Sequence, residues 1–523
     1  MNDKISAKRT VAMATIKMAT ATLISRVLGL FREQVMAVFF GASALTDAFL
    51  IAYRIPNMLR DLLAEGAFSS AFVPTFTEEL QKDKESARQL FWSVFLLLTL
   101  VTASLSLLMI IFAKPLVLLF APSYAADPEK MALTISLLRF MSPFILLAAI
   151  TALYMGTLNA LKLFFVPSVS PALLNIVMIL CTMSLPVFFR AKGKSEAYAL
   201  AVGVMFGGLA QILFLAPVLW RRGFAFTPKI KLISKQTLRI LHKVGIGSIG
   251  VAAAQLNVLV TTILATSSGV GAVSWLTYAF RLFQFPIGVL SVSISGSNLV
   301  HFSESWKKGD KARAIDFLKE SYILTFLVLI PAMALLMAMS SESVNLIFEH
   351  GRFYRADTIS TSLALKFYLV GLPFYGLYKV FGPTFYALEK PRIPVTISIC
   401  SLAVNILFCL VMVKHFGFAI LALGTSLAMF LNTFGQAFFL RKELGLGGSF
   451  FLDKRLLKTI LAGLICYFTT RFFCHTFYDF DGSIFIRAFS FVGIGTIGAL
   501  VFVLVLASLG ELQSLKRLLK KKS

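Results

Sequence analysis

A chain of 523 residues that is 58% hydrophobic, with a mean hydropathy of +0.83 and only 14% charged residues, has too little polar surface for a soluble fold, where about 25% of residues are ordinarily charged. Its formal net charge of +25 does not point to nucleic acid, because the Lys and Arg residues stand in short loops between apolar blocks, as topology signals do. The blocks recur at about twenty residues, the length a helix needs to cross a hydrocarbon core about 30 Å thick, and they lack the alternation of barrel strands. Lipid offers the backbone no hydrogen-bond partner, so the predicted class is an all-α membrane protein of about fourteen transmembrane helices.

The polar, basic N-terminal stretch leads into a first block at 18–40 that holds Arg26, Arg32 and Glu33 around Gly29. The apolar core of a cleavable signal would not tolerate these charges, so the block is expected to remain as the first span. The second, 44–66, carries Asp47, Arg54, Arg60, Asp61 and Glu65, with Pro56 expected to bend it. Spans three to six are predicted at 89–113, 131–159, 166–189 and 197–220. The seventh, 238–267, holds no acidic residue, and the eighth, 272–301, carries Arg281. A ninth lies at 313–339, and the tenth, 358–387, holds Lys366 and Lys379. Spans at 393–414, 418–440, 456–475 and 485–509 complete the set.

With the N-terminus in the cytoplasm, roughly 30 basic residues fall on the inner side against about 10 on the outer, and an even span count returns the C-terminus to the same side. The basic tail Lys516 to Lys522 belongs to that inner set. The chain also repeats itself at a period of about 230 residues. "FGASALTDAFLIAYRIP" pairs with "SSGVGAVSWLTYAFRLFQFP", "ELQKDKESAR" with "ESWKKGDKARA", and "NALKLFFVP" with "YALEKPRIP". The expected organisation is a lobe of six spans at 1–220, a second at 221–440 and two further helices with the basic tail at 441–523.

Ionisable side chains at membrane depth cost several kcal/mol unless they face water or each other, so they mark function. Asp47, Arg54, Asp61 and Glu65 are spaced by seven, seven and four residues, which keeps them on one helical face. Arg26 and Glu33 share a face in the same way. The repeat puts Arg54 and Arg281 at matching points, so two arginines are expected to approach a central cavity from opposite sides. Guanidinium forks suit phosphate oxygens. The plainer reading is a structural ion-pair network, such as Arg54 with Asp47 or Arg26 with Glu33. It is weaker for the cluster as a whole, where bases outnumber acids. Lys366 and Lys379 are candidate cavity residues that could equally snorkel to a helix end. Arg60 and Glu65, ahead of the small-residue run "GAFSSAFVP", are read as ion-pairing groups of a gate or as a packed helix end.

The five cysteines and five histidines are scattered, without metal or redox spacing. No phosphate-binding glycine loop and no nucleophile motif stands out; "GLGG" at Gly445 to Gly448 reads as a turn. No enzyme activity, cofactor or metal is expected.

"SRVLGLFRE" (Ser25 to Glu33), "TDAFLIAYRIPNMLRDLLAEGAFSSAFVP" (Thr46 to Pro74) and "YAFRLFQFPIGVL" (Tyr278 to Leu290) resemble the MurJ (MviN) lipid II flippases of bacterial cell-wall synthesis. The resemblance covers essentially the whole chain. It implies the multidrug/oligosaccharidyl-lipid/polysaccharide exporter fold, a V-shaped cavity between two lobes, and a groove for a polyprenyl tail on the last two spans. It implies that Arg26, Arg32 and Arg281 contact the diphosphate and sugar headgroup, and Arg54 also matches a family position. Asp47, Arg60 and Glu65 also match family positions. The sequence departs from the family at Glu33, Phe280 and Arg60-Asp61, where the family often has Asp, Asp and an Arg-Arg pair. Spans seven, eleven and twelve hold no Asp or Glu, and Gln255, Asn257 and Asn405 are neutral, so an acidic sodium site is not expected.

The implied location is the inner (cytoplasmic) membrane, multi-pass, with both termini cytoplasmic. The implied partner is lipid II, and contact with the cell-wall synthesis machinery is compatible with it; a monomer and no nucleic acid are expected. A drug/cation antiporter of the same superfamily would want an acidic, aromatic cavity, which the excess of arginine opposes. A flippase for another polyprenyl-linked glycan would share the diphosphate, and only the span-two motif separates it.

Overall fold

The computed structural model describes residues 2–63, 67–227, 230, 232, 234–447 and 450–511, and among them there is helix and no strand. The first ten helices are α1 (Asn2–Phe40), α2 (Ala44–Leu63), α3 (Ala67–Lys82), α4 (Lys84–Ile111), α5 (Ala113–Phe120), α6 (Pro128–Met141), α7 (Phe144–Ala160), α8 (Phe165–Ser184), α9 (Pro186–Ala191) and α10 (Tyr198–Arg221). There follow α11 (Lys235–Thr266), α12 (Ala272–Pro286), α13 (Val292–Lys307), α14 (Lys311–Ala338), α15 (Ser340–Phe348) and α16 (Arg355–Val370). The remainder are α17 (Leu372–Ala387), α18 (Arg392–Phe416), α19 (Ala419–Leu444), α20 (Lys454–Phe477) and α21 (Ile484–Ser508).

Over their described residues the predicted spans fall on helix, but several are interrupted, two of them near mid-span. The fourth is divided into α6 and α7 at Ser142–Pro143, and the tenth into α16 and α17 at Gly371, with Pro373 in the first turn of α17. Proline has no N–H for the preceding turn and is favoured where a helix begins, and both of these breaks have a proline at or just after them. The helix starts follow their side chains. Asp83, Asp127, Asp310, Asp453 and Ser483 each accept the N–H of a residue in the first turn that follows, and Ser234 forms a reciprocal capping box with Thr237.

Among the described residues, nine helices or helix pairs are long and apolar enough to cross a bilayer: α4, α6–α7, α8, α10, α14, α18, α19, α20 and α21. The predicted spans outside that set are α1, α2, α11, α12–α13 and α16–α17. All but α11 carry the cations singled out above, and α12, α13, α16 and α17 are each only 15 or 16 residues long.

The repeat is visible in the backbone. Helices α4 and α14 are both 28 residues long, and both begin after an aspartate cap, Asp83 and Asp310. Each is followed by a short helix, α5 or α15, and then by a broken span. Among the described residues, the non-glycine residues at positive φ are Lys162 (62°) and Glu389 (59°), which end α7 and α17 at equivalent points. A left-handed conformation is uncommon for a residue with a side chain, so its recurrence at the same place in both copies marks a shared turn.

By packing, the chain divides into two compact units, Met1–Val273 and Ser274–Ser523. In the first, α1 lies on α8 and α10 on α7 and α8. The repeat opens its second copy at α11, yet α11 packs in the first unit against α2 and α3. Arg239 of α11 is 2.8 Å from Glu78 of α3, and Gln236 donates to Glu79 at 3.3 Å. Phe72, Phe76, Phe91, Trp92, Leu153 and Phe224 form the core of this unit. In the second unit, α14 packs on α13, α17 and α20 around Phe302, Leu318, Tyr322, Phe381 and Phe385, and α21 packs on α20. Small residues allow the closest approaches. A Cβ at Gly207 of α10 would sit 3.2 Å from the Leu174 Cα of α8, and one at Gly424 of α19 would sit 2.5 Å from Asn405 Oδ1 of α18.

Candidate functional site

In the first unit, charge gathers where α1 meets α2 and α8. Arg32 Nη2 lies 2.5 Å from Glu33 Oε1, and its Nη1 is 3.7 Å from the Met178 sulfur of α8. The Glu33 side chain is 2% exposed and that of Arg32 is 12% exposed. The Arg32 charge is also within electrostatic reach of Tyr53 and Arg60 on α2. Burial removes water from an ion that cannot be neutralised, so Glu33 is the local counter-charge that makes a half-buried guanidinium tolerable. Arg26, one and a half turns earlier, is exposed. Just ahead of it the Ser25 carbonyl accepts from Asn175 Nδ2 of α8 at 3.2 Å. Arg26 and Glu33, expected to share a face, therefore differ: Glu33 turns inward to Arg32, while Arg26 stays open.

The acidic end of α2 is structural. The Asp47 carboxylate, 1% exposed, lies 3.4 Å from Lys130 Nζ of α6 and accepts the Gly271 N–H at 2.8 Å. Lys130 is itself 7% exposed and stands over the Tyr124 ring, 4.2 Å from its centroid. Burial, with Asp47 and Asp127 beside it, holds the Tyr124 phenol well above its ordinary range, so it remains a neutral ring for the ammonium. The carboxylate that heptad spacing offered to Arg54 is thus engaged by Lys130 and Gly271. Arg54 donates through Nη1 to Thr262 Oγ1 of α11 at 2.6 Å. Arg60 Nη2 is 3.0 Å from Asp61 Oδ1, both half-exposed. Glu65 lies outside the described residues.

In the second unit, Arg281 is exposed on α12, whose other faces are packed. Tyr278 and Phe283 are buried, and Phe280 and Phe283 stack with Tyr368 of α16 at 5.3 and 5.6 Å. Phe280 is thus part of an aromatic cluster. Lys366, half-buried on α16, is in electrostatic reach of Glu342 on α15. Lys379 is half-buried on α17, and its carbonyl accepts the Ser295 hydroxyl of α13.

Sequence reasoning passed over several charges. Lys130 stands in "DPEK", where it reads as an ordinary loop lysine, and nothing local reveals its partner. Glu342, Arg471 and Arg487 were also passed over. Arg471 Nη1 is 3.1 Å from Glu342 Oε1, whose side chain is 2% exposed, and Arg487 reaches Asn345 Oδ1 at 3.4 Å. Arginines inside two otherwise apolar spans were the available signal. Among the described residues no group of His, Cys, Asp and Glu could hold a metal ion.

The chain as a whole finds counterparts among known proteins. The family model described as Lipid II flippase MurJ matches residues 36–489. A lipid II flippase MurJ of Burkholderia cenocepacia is 34% identical over 440 residues, covering 82% of this chain and 84% of that protein. A probable lipid II flippase MurJ of Buchnera aphidicola (subsp. Acyrthosiphon pisum) is 32% identical over 453 residues, covering 86% and 88%. A solved structure of lipid II flippase MurJ in an inward closed conformation superposes with a TM-score of 0.76 at 28% identity, covering 94% of this chain and 99% of that one. An inward-facing multidrug resistance MATE transporter of the MOP superfamily matches with a TM-score of 0.63 at 14% identity, covering 82% and 98%, which is a likeness of fold alone. With the matched residues running through both copies of the repeat, the chain is a multi-pass membrane protein that belongs to the lipid II flippase MurJ family.

Proposed function

We propose that this chain carries lipid II, a polyprenyl-diphosphate-linked disaccharide-pentapeptide, from the inner to the outer leaflet of the cytoplasmic membrane for cell-wall synthesis. Arg26, Arg32, Arg54 and Arg281 neutralise the diphosphate, with Lys366 and Lys379 as further cations near its path. Glu33, Asp47, Arg60 and Glu65 supply ion pairs that hold these groups or gate access to them. Both termini lie in the cytoplasm. The observation that carries the reading is the set of arginines on predicted spans: Arg26 and Arg281 are exposed, and Arg32 is held at a buried carboxylate.

The physical demand is plain. A diphosphate taken out of water loses several kcal/mol of hydration per charge. Guanidinium groups return part of that through charge-assisted, bidentate hydrogen bonds and stay charged throughout. Alternating access then requires only that the bound headgroup favour one of two arrangements over the other. Each elementary charge that crosses the full membrane potential contributes about 2.3 kcal/mol per 100 mV. The test is replacement of the resident flippase by this chain in a peptidoglycan-making cell. Wild type is expected to support growth, while Arg32→Glu and Arg281→Glu, present at normal levels in the membrane, lose viability and leave lipid II on the inner leaflet. Normal growth of either variant refutes the assigned roles.

A further inference from the structure

We infer that α20 and α21 are a fixed part of the second unit, and that they keep their seat on α14 throughout the transport cycle. Three sets of contacts, at the inner end, the middle and the outer end of the pair, carry this.

At the inner end Asp453, which caps α20, takes Arg455 Nη2 at 3.0 Å and Lys319 Nζ of α14 at 3.3 Å. Arg455 also reaches Glu320 of α14 at 3.5 Å, and the Tyr322 hydroxyl of α14 donates to the Phe450 carbonyl at 2.8 Å. Lys458 ties the two helices together by donating to the Leu509 carbonyl at 2.8 Å and to Glu511 at 3.0 Å. In the middle the contact is closed by glycine. A Cβ at Gly463 of α20 would lie 2.5 Å from Ile330 Cγ2 of α14. One at Gly498 of α21 would meet Thr470 Oγ1 of α20 at 2.2 Å and Leu335 Cδ2 of α14 at 2.7 Å. At the outer end Arg471 is bound to the buried Glu342 and donates to the Ala338 carbonyl at 3.4 Å. The Tyr478 hydroxyl lies 2.9 Å from Asn345 Oδ1, Asn345 Nδ2 donates to the Phe480 carbonyl at 3.3 Å, and the Arg355 guanidinium stands 3.8 Å from the Phe480 ring centroid.

In lipid there is no hydrophobic drive to bring helices together, so a pair meant to swing free would show dispersion contacts alone. Here separation would strand the Glu342 carboxylate without its arginine at the outer end and open the Asp453 network at the inner end. Leaving a buried charge uncompensated is strongly unfavourable. The consequence for mechanism rests on the flippase reading: a lipid chain lying along the outward-facing Phe468, Phe472, Phe485 and Phe489 stays with the second unit while its headgroup crosses.

The geometry offers its own lock. A Cβ at Gly463 lies 4.0 Å from Ile330 Cβ, inside the range of roughly 3.5–4.5 Å that a disulfide needs. Ile330→Cys/Gly463→Cys, in the full chain with the five native cysteines replaced, is reconstituted in vesicles with a polyprenyl-diphosphate-linked disaccharide-pentapeptide. The disulfide is expected to form on mild oxidation, and the oxidised protein to translocate within about twofold of its reduced form. Failure of the bond to form in folded protein overturns the inference, and so does a loss of about tenfold or more on oxidation that reduction restores. If the reduced protein and the cysteine-free parent both fail to translocate, the flippase reading fails instead. The inference is then decided by spin labels at Leu457 on α20 and Arg313 on α14, both exposed. One distance population is expected, unmoved by the lipid-linked substrate or by a bare polyprenyl diphosphate. A second population refutes a fixed seat.

Discussion

Asparagine in place of Asp47 isolates one charge with little change of shape. In the native unit the carboxylate is 1% exposed, pairs with Lys130 at 3.4 Å and accepts the Gly271 N–H at 2.8 Å. The asparagine oxygen can still accept from Gly271, so the chief loss is the counter-charge of an ammonium that is 7% exposed. Removing one partner of a buried pair costs about 3–5 kcal/mol. The Tyr124 ring, 4.2 Å away, offsets up to about 2 kcal/mol of this as a desolvated cation–π contact. Asp47→Asn should therefore destabilise the chain by about 1–3 kcal/mol, read as a shift in the unfolding free energy in mixed detergent micelles. Because the penalty belongs to the stranded lysine, Lys130→Met on the asparagine background should restore more than about 1 kcal/mol. A single variant within about 0.5 kcal/mol of wild type, or a double variant no better than the single, refutes the assignment of Asp47 as a structural counter-ion.

Replacing Arg32 or Arg281 by Lys keeps the charge but gives up the planar fork, so translocation of the lipid-linked substrate should fall by about tenfold or more while the amount of folded protein stays unchanged. Gly371→Ala puts a Cβ 2.8 Å from the Ser426 Cα, where backbone must move, and should cost about 1–3 kcal/mol in the same micelle assay. Outside the membrane, Asp453 accepts hydrogen bonds from Arg455 and Lys319, with Arg455 the larger influence, and its carboxyl is held below the ordinary value of 3.8. A depressed folded pKa stabilises above the unfolded value and is lost as pH falls through the folded one. The stability advantage of wild type over Asp453→Asn should be full at neutral pH and shrink as pH drops below 3.8. An advantage that grows on acidification contradicts the sign.

The membrane-spanning helices were legible because a bilayer demands long apolar blocks, and charge did little to hide them. What sequence concealed were features set by a single backbone group or a distant partner. The breaks at Ser142–Pro143 and Gly371 interrupt runs whose hydropathy is continuous, and a proline can either kink a helix or begin one. Asp47 looked like a partner for Arg54 at heptad spacing, because the spacing records the helix face and is silent about α6 and the Gly271 amide packed against it. Glu33 looked like a partner for Arg26 for the same reason; the inward turn of α1 onto α8 decides otherwise, through Arg32 and Met178. Lys130 was unreadable, since burial comes from the fold and its neighbours in sequence are polar.

The duplication sharpens what the arginines can mean. Arg54 and Arg281 stand 227 positions apart, and so do the capping residues Asp83 and Asp310 and the left-handed Lys162 and Glu389. Caps and turns recur because each copy must start and stop its helices at the same places, and a backbone rule enforces that without reference to function. No such rule requires an arginine in the middle of α2 and again in α12, where each costs several kcal/mol to keep. Its immediate setting also differs: Arg54 donates to Thr262 of α11, while Arg281 is exposed on α12. A residue retained in both copies but supported differently in each is held by a shared demand outside its own packing. On the proposed function, an anion that each arginine meets during the cycle would supply that demand. Charge reversal at Arg54 and at Arg281 should accordingly fail alike in translocation although the two residues sit in different surroundings in the resting structure. Normal translocation by the Arg281→Glu protein beside loss in Arg54→Glu would reduce Arg54 to a structural tie and leave the duplicated arginine without a common task.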